Sequence, residues 1–398
     1  MTNRLIILGC YLMLWLSSCQ EDEPLTPAPD PMPPTVSEML AGVFGNNIDL
    51  ASPYAYAAQA VPDYIRRDNT DGNPVSDLGA TLGRVLFYDT RLSRNEMISC
   101  ASCHRQELAF GDADLASTGV AGTTARHGMR LTNARFGDEA RFFWDKRANN
   151  LEEQTTMPIR DHVEMGFSGE NGDPDYDVLL DRMRNTDYYP VLFAAAFGTE
   201  DITEDRMQRA LAQFIRSMQS LDAKYDVGRA QVNNDRADFP NFTAAENRGK
   251  ALFLTPPQFN AAGSRIGGGL GCGGCHQAPE FSITVNSGHN GVTGSISGER
   301  DATVTRAPSL RDVFLPDGRV NGPFMHTGEF TTLEAVLNHY DEIPGGVTGL
   351  DQRLRPRGQP QRLNLTDQER AEVVAFFRTL TGNQLFTDTR WSDPFLEH

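Results

Sequence analysis

Apolar positions recur at helical spacing in two well-separated parts of the chain. Met207, Leu211, Phe214 and Met218 step by four, three and four, which puts them on one face of a helix. Val373, Phe377 and Leu380 repeat the pattern near the C-terminus. Three Thr-x-x-Glu sequences, Thr243/Glu246, Thr331/Glu334 and Thr366/Glu369, predict capping boxes at helix starts. In each, the hydroxyl and the carboxylate satisfy backbone N–H groups that a first turn leaves unpaired. Strand-like alternation is scarce, and Phe281–Val285 is the stretch that reads best as a short strand. The pattern predicts a mainly α protein with long loops, which suits its 36 glycines and 23 prolines.

The N-terminus follows a different pattern. Arg4 precedes an apolar run from Leu5 to Leu16, too short for a comfortable membrane span and ending in small residues, as export signals do. Leu16-Ser17-Ser18-Cys19 resembles a bacterial lipoprotein signal, which makes residues 1–19 a signal peptide and Cys19 the lipidated first residue of the mature chain. Residues 20–36 are acidic and proline-rich, cannot bury apolar surface, and read as a disordered tether. The expected location is the periplasm or cell envelope, with the N-terminal lipid as the membrane contact. The rest, about 360 residues, is too long for one small core and suits two domains. A boundary within residues 231–241 gives domains of 37–235 and 236–398. The net charge of −17 disfavours nucleic acid and anionic lipid as partners.

Cysteine usage changes the picture most. Of six cysteines, Cys10 and Cys19 lie in the leader, and four form Cys100-Ala-Ser-Cys103-His104 and Cys272-Gly-Gly-Cys275-His276. C-x-x-C-H is the attachment pattern of a c-type haem. Two intervening residues let both sulfurs reach one porphyrin edge, and the next side chain then points under the iron. A thioredoxin-like thiol pair or half a zinc site would also use C-x-x-C. Two complete copies in an exported chain favour two covalently bound haems, one per domain, with His104 and His276 as proximal ligands. Each domain is then expected to be cytochrome c-like. An iron with an open sixth position suits peroxide chemistry, and a saturated one suits electron transfer.

Around these motifs the chain resembles the bacterial di-haem cytochrome c peroxidases, the family that includes MauG. The resemblance is carried by Arg141-Phe-Phe-Trp144-Asp-Lys-Arg147, Leu151-Glu-Glu-Gln154, Met157-Pro158 and His162-Val-Glu164-Met165-Gly166. Further on it continues through Arg306-Ala-Pro308-Ser-Leu310-Arg311, Gly322-Pro323-Phe-Met325-His326-Thr-Gly328 and Tyr340. It implies that the His104 haem reacts with peroxide and the His276 haem relays electrons. Glu164 corresponds to the family's distal acid, Gln154 to its distal amide, Pro158 to a packing residue over the same pocket, and Trp144 to a tryptophan between the haems. On residue type alone Glu164 would read as a solvated charge. The sixth ligand of the relay haem divides the family. Fourteen residues after His326 the peroxidases carry methionine and MauG tyrosine; here the residue is Tyr340, with Met325 the alternative thioether nearby. Phenolate is a hard anionic donor that favours Fe(III). The resemblance also implies one Ca2+ held by Asn133 and the backbone carbonyls of Asn321 and Pro323. It leaves His127 near, but not at, the place of a distal histidine, and suggests Arg306 and Arg311 as partners of haem carboxylates.

The expected activity is reduction of H2O2 to water, with electrons from a small redox protein of the cytochrome c or cupredoxin type. One alternative is a MauG-like oxidase acting on a protein or organic substrate, which Tyr340 favours. Another is a non-catalytic di-haem electron carrier, against which Gln154, Pro158 and Glu164 argue. A homodimer is compatible with all three.

Overall fold

Two helix pairs, each closed by a glycine, organise the chain. The computed structural model describes residues 35–283 and 285–396. The signal peptide, Cys19 and all but the last two residues of the expected tether lie outside them. In chain order the helices are α1 (Val36–Phe44), α2 (Asp77–Tyr88), α3 (Cys100–Cys103), α4 (Leu151–Arg160), α5 (Tyr176–Arg184) and α6 (Tyr188–Phe197). They continue with α7 (Glu204–Ser217), α8 (Lys224–Arg229), α9 (Ala244–Leu254), α10 (Leu333–Asp341), α11 (Asp367–Arg378) and α12 (Gln384–Thr387). Strand structure among the described residues is limited to three two-stranded antiparallel hairpins: β1 (Thr118–Gly119) with β2 (Gly122–Thr123), β3 (Pro257–Phe259) with β4 (Arg265–Gly268), and β5 (His276–Gln277) with β6 (Ser282–Ile283). The protein is thus mainly α, as its sequence pattern predicts.

The first pair is α2 and α7. Their backbones touch because Gly83 has no side chain: a Cβ there would collide with the carbonyl of Ala210. Leu82, Val85, Leu86 and Phe87 of α2 meet Met207, Leu211 and Phe214 of α7 in a core that also takes residues from α4, α5 and α6. The face predicted from Met207, Leu211 and Phe214 is buried, and Met218 caps the helix end. The second pair is α9 and α11, where Gly249 plays the same part and a Cβ would strike the carbonyl of Glu372. Phe253, Val373, Phe376 and Phe377 lie in this second core with Phe281 and Leu337. In both cases a C-x-x-C-H sequence follows the first helix of the pair.

The capping boxes at Thr243 and Thr366 form as expected. The third helix starts one residue later, at Thr332, whose hydroxyl accepts from the Ala335 N–H. The strand expected over Phe281–Val285 shrinks to Ser282–Ile283. The C-terminus crosses back: Leu385, Phe386 and Trp391 lie in the first core, and the Trp391 indole N–H donates to Ser217 Oγ at 3.1 Å. Arg84, buried in α2, donates from Nε to the Ser392 carbonyl at 2.6 Å. The end of the expected second domain therefore packs on the first core. Among the described residues, no helix is long and apolar enough to cross a membrane.

Candidate functional site

The two Cys-x-x-Cys-His sequences open onto two cavities. The first, about 650 Å3, is lined by Cys103, His104, His127, Trp144, Gln154, Pro158 and Glu164, and a small side chamber of about 60 Å3 adds Cys100. The second, about 430 Å3, is lined by Cys272, Cys275, His276, Met325 and Tyr340. Both fall in the range of roughly 300–1,000 Å3 usual for cofactor pockets. Trp144, Arg130 and the stretch Arg306–Pro308 line both, and so form a shared wall.

The residues on the cavity floors fit covalent haem. Cys100–Cys103 is a single helical turn, and the His104 N–H closes it on the Cys100 carbonyl at 2.9 Å. This fixes both sulfurs and the imidazole on one side. Burial pushes the thiols up, to about 12 for Cys100 and Cys272 and about 11 for Cys103 and Cys275. They are neutral thiols, unlike the activated thiolates of redox or zinc sites. Burial pushes both imidazoles down, His276 to about 4, so each is neutral with a nitrogen lone pair to give. His104 donates its Nδ1–H to the Phe110 carbonyl at 3.1 Å, which leaves Nε2 free, as a metal-binding histidine requires.

A sharp turn aims Glu164 at the first cavity. Asp161 caps it, its Oδ1 accepting from the N–H groups of Val163 at 2.8 Å and Glu164 at 3.0 Å. The β1–β2 hairpin clamps it, with Val120 N–H donating to the Glu164 carbonyl at 3.1 Å and Ala121 N–H to that of Val163 at 3.2 Å. Gly119 permits this approach, since a Cβ there would collide with the Val163 carbonyl. Burial, aided by nearby Asp161, raises the Glu164 carboxyl to about 7. Gln154 and Pro158 stand one turn apart on α4 and face the same space. Pro158 has no N–H, so the Gln154 carbonyl lacks its usual helical donor. Among the described residues, no hydrogen bond engages the side chain of Gln154 or Glu164, and both remain available to a ligand.

Trp144 is pinned in the shared wall. Its indole N–H donates to the His127 carbonyl at 2.8 Å, and its own carbonyl accepts from Thr305 at 2.9 Å and Arg306 at 3.0 Å. His127 lines the first cavity with Nδ1 2.9 Å from the Asp114 carbonyl. His326 is fully buried outside both linings, with Nε2 2.8 Å from the Gly294 carbonyl and its ring 6.2 Å from that of Trp144. In the second cavity Tyr340, near the end of α10, is held far above the usual phenol range by burial. Asn290, which also lines this cavity, donates from Nδ2 to Met325 Sδ at 3.4 Å.

Two expectations meet a different arrangement. Arg311 does not face a cavity; it is fully buried in a two-pronged ion pair with Asp226, at 2.7 and 2.9 Å. The oxygens of Asn133 and Asn321 expected to hold calcium are each engaged by a donor of the chain. Asn133 Oδ1 accepts the Ser220 N–H at 2.8 Å, and the Asn321 carbonyl accepts from Arg130 Nη1 at 2.8 Å. Pro323 follows a cis peptide bond beside them. Sequence reasoning missed Arg130 and Asn290. Arg130 was exposed to view only as a charge three residues before Asn133 in a loop already singled out for His127.

This fold, with paired thiols and a neutral imidazole in each of two adjoining cavities, defines a c-type redox protein, and the chain belongs to the MauG/di-haem cytochrome c peroxidase family. The family model described as di-haem cytochrome c peroxidase matches residues 78–234. Methylamine utilization protein MauG of Methylorubrum extorquens is 32% identical over 321 residues, covering 77% of this chain and 79% of that one. Cytochrome-c peroxidase IdrP1 of a Pseudomonas species (strain SCT) is 27% identical over 351 residues, covering 78% and 83%. A crystal structure of a MauG-like protein associated with microbial copper homeostasis superposes with a TM-score of 0.61 at 29% identity, covering 84% of this chain and 98% of that one. Membership implies two c-type haems and an oxidoreductase of the peroxidase and oxidase type.

Proposed function

We propose that the chain reduces H2O2 to water in the first cavity (H2O2 + 2 H+ + 2 e− → 2 H2O), with electrons entering by the second from a small redox protein. Each cavity would hold one haem, in two cytochrome c-like halves: Cys100, Cys103 and His104 the first, Cys272, Cys275 and His276 the second. A haem iron in the first cavity supplies the redox chemistry of O–O cleavage. The chain supplies proton handling and position. Gln154 holds the peroxide by its amide, and Pro158 limits the space beside it. Glu164, with a carboxyl near 7, takes a proton from one peroxide oxygen and returns it to the other, which leaves as water. Trp144 links the two cavities. Tyr340, which lines the second cavity, would be the side chain that ligates the second iron. The observation that carries this reading is a half-buried, unbonded carboxyl balanced near neutrality in the lining of the His104 cavity, for which an electron carrier has no use.

A second reading is favoured by Tyr340 and by relatives named MauG: oxidation of a protein or organic substrate with peroxide as oxidant. Steady-state assay separates the two. Rapid peroxide consumption with a reduced small cytochrome supports the first; slow consumption with a long-lived oxidised spectrum supports the second. Lipidation at Cys19, and with it a periplasmic or envelope location, is part of the same proposal. Metabolic labelling with a radioactive fatty acid tests it, with Cys19→Ala as the control that should lose the label.

A further inference from the structure

The wall between the cavities contains a cation with no anion. Arg130 lines both cavities. Its Nη1 donates to the Asn321 carbonyl at 2.8 Å, and the guanidinium lies over the Phe324 ring at 5.9 Å. Its Nε is out of contact with water and has no partner. Among the described residues, no carboxylate forms an ion pair with it. Of the nearby arginines, Arg126 holds Asp145 and Asp301 and Arg311 holds Asp226, while Arg306 reaches the Arg141 carbonyl and, among the described residues, likewise forms no ion pair. The acid whose charge acts on it, Asp312, is buried, accepts from Ser220 Oγ and the Gly382 N–H on Oδ1, leaves Oδ2 without a partner, and is pushed up to about 6. A partly enclosed charge without an ion pair is costly, so a guanidinium in this position favours an anion that arrives from outside the chain.

The geometry of the side chain identifies the anion. With Nη1 committed to Asn321 and Nε enclosed by the fold, Nη2 remains as the donor a ligand can reach. A guanidinium N–H donates strongly to a carboxylate. The porphyrin of a haem brings carboxylates, and both cavities border the Arg130 side chain. Arg130 also engages one of the carbonyls expected to hold calcium, while Ser220 engages the Asn133 oxygen. We propose that Arg130 is a permanent cation of the shared wall, bonding the Asn321 carbonyl in place of a calcium ion and binding a porphyrin carboxylate through Nη2. The proposal rests on the haem reading of both cavities. A guanidinium cannot be chelated away and does not deprotonate near neutral pH, so the charge between the cavities is fixed.

The test uses the full chain carrying its haems. Elemental analysis after dialysis against a chelator should find substoichiometric calcium, and melting curves in EGTA and in excess calcium should coincide. One retained calcium per chain, or a melting midpoint lowered by EGTA, overturns the proposal. Spectroelectrochemical titration of Arg130→Gln should show at least one haem harder to reduce, because a cation beside its carboxylate is gone. An effect of about tenfold in the reduction equilibrium corresponds to 59 mV for one electron. Arg130→Lys, which keeps the charge, should recover most of it. Unchanged potentials in Arg130→Gln, or equal shifts in both variants, overturn it. If Arg130→Gln fails to fold, the calcium measurements and Arg130→Lys still decide, the latter by holding its potentials near wild type. A haem count below two per chain would instead remove the underlying haem reading.

Discussion

Glu164 shows how one side chain exchanges stability for chemistry. A carboxyl in water ionises near 4.5, and burial raises this one to about 7. Its folded value lies above its unfolded one, so its stabilising contribution is complete below about pH 4.5 and is lost as pH rises through about 7. Glu164→Gln should therefore resist denaturant better than wild type above that pH, while losing function. Peroxide turnover should fall about 10²- to 10⁴-fold in this variant, with both haems still attached. Wild-type turnover should rise with pH through a midpoint near 7, as the proton-accepting carboxylate forms, and the variant should lack that limb. Tyr340 and Met325 make a second test at this scale, since both border the second cavity. Tyr340→Phe should change the absorption and magnetic spectra of the second iron, and Met325→Leu should leave them alone. The reverse pattern would assign the iron to Met325. The two Cys-x-x-Cys-His sequences were legible because the covalent attachment expected of them fixes both residue type and spacing. Arg130 was not, because its meaning comes from the partner it lacks, and an unpaired charge is visible only in three dimensions.

At the scale of elements, the helix crossings hold the cavity floors in place. Gly83 and Gly249 let α2 approach α7 and α9 approach α11, and the thiol pairs follow α2 and α9 in the chain. Gly249→Ala places a methyl group against the Glu372 carbonyl, and overpacking of this kind costs about 1–3 kcal/mol. Urea unfolding of the haem-loaded protein should show a lower midpoint with an unchanged slope. An unaltered midpoint would mean that the crossing yields freely and does not hold the floor. The helix faces were readable because a 3.6-residue period is local. Boundaries were less so: Thr331 and Thr332 both suit a cap, and only the Ala335 N–H distinguishes them. The strand at Phe281 shortened because Phe281 adopts a left-handed backbone with φ 52° and packs into the second core. The sharp turn that presents Glu164 rests on Asp161 and on a distant hairpin, contacts that no local pattern encodes.

At the scale of the molecule, two cores share one wall, and the wall carries Trp144, Arg130 and Arg306. The sequence division at residues 231–241 falls between α8 and α9, where the structure has a loop. The return of Trp391 to the first core was hidden, because a C-terminal tryptophan is equally at home in either core. The joint arrangement gives the account its central claim: two haems of unequal coordination, the first open beside Glu164 and the second saturated by Tyr340. Low-temperature electron paramagnetic resonance of the oxidised, haem-loaded protein tests it most directly. The account predicts one high-spin and one low-spin ferric signal of equal weight, with only the high-spin signal altered by added peroxide analogue or small anion. Two low-spin signals, as from a first iron already closed by His127 or another side chain, would contradict it.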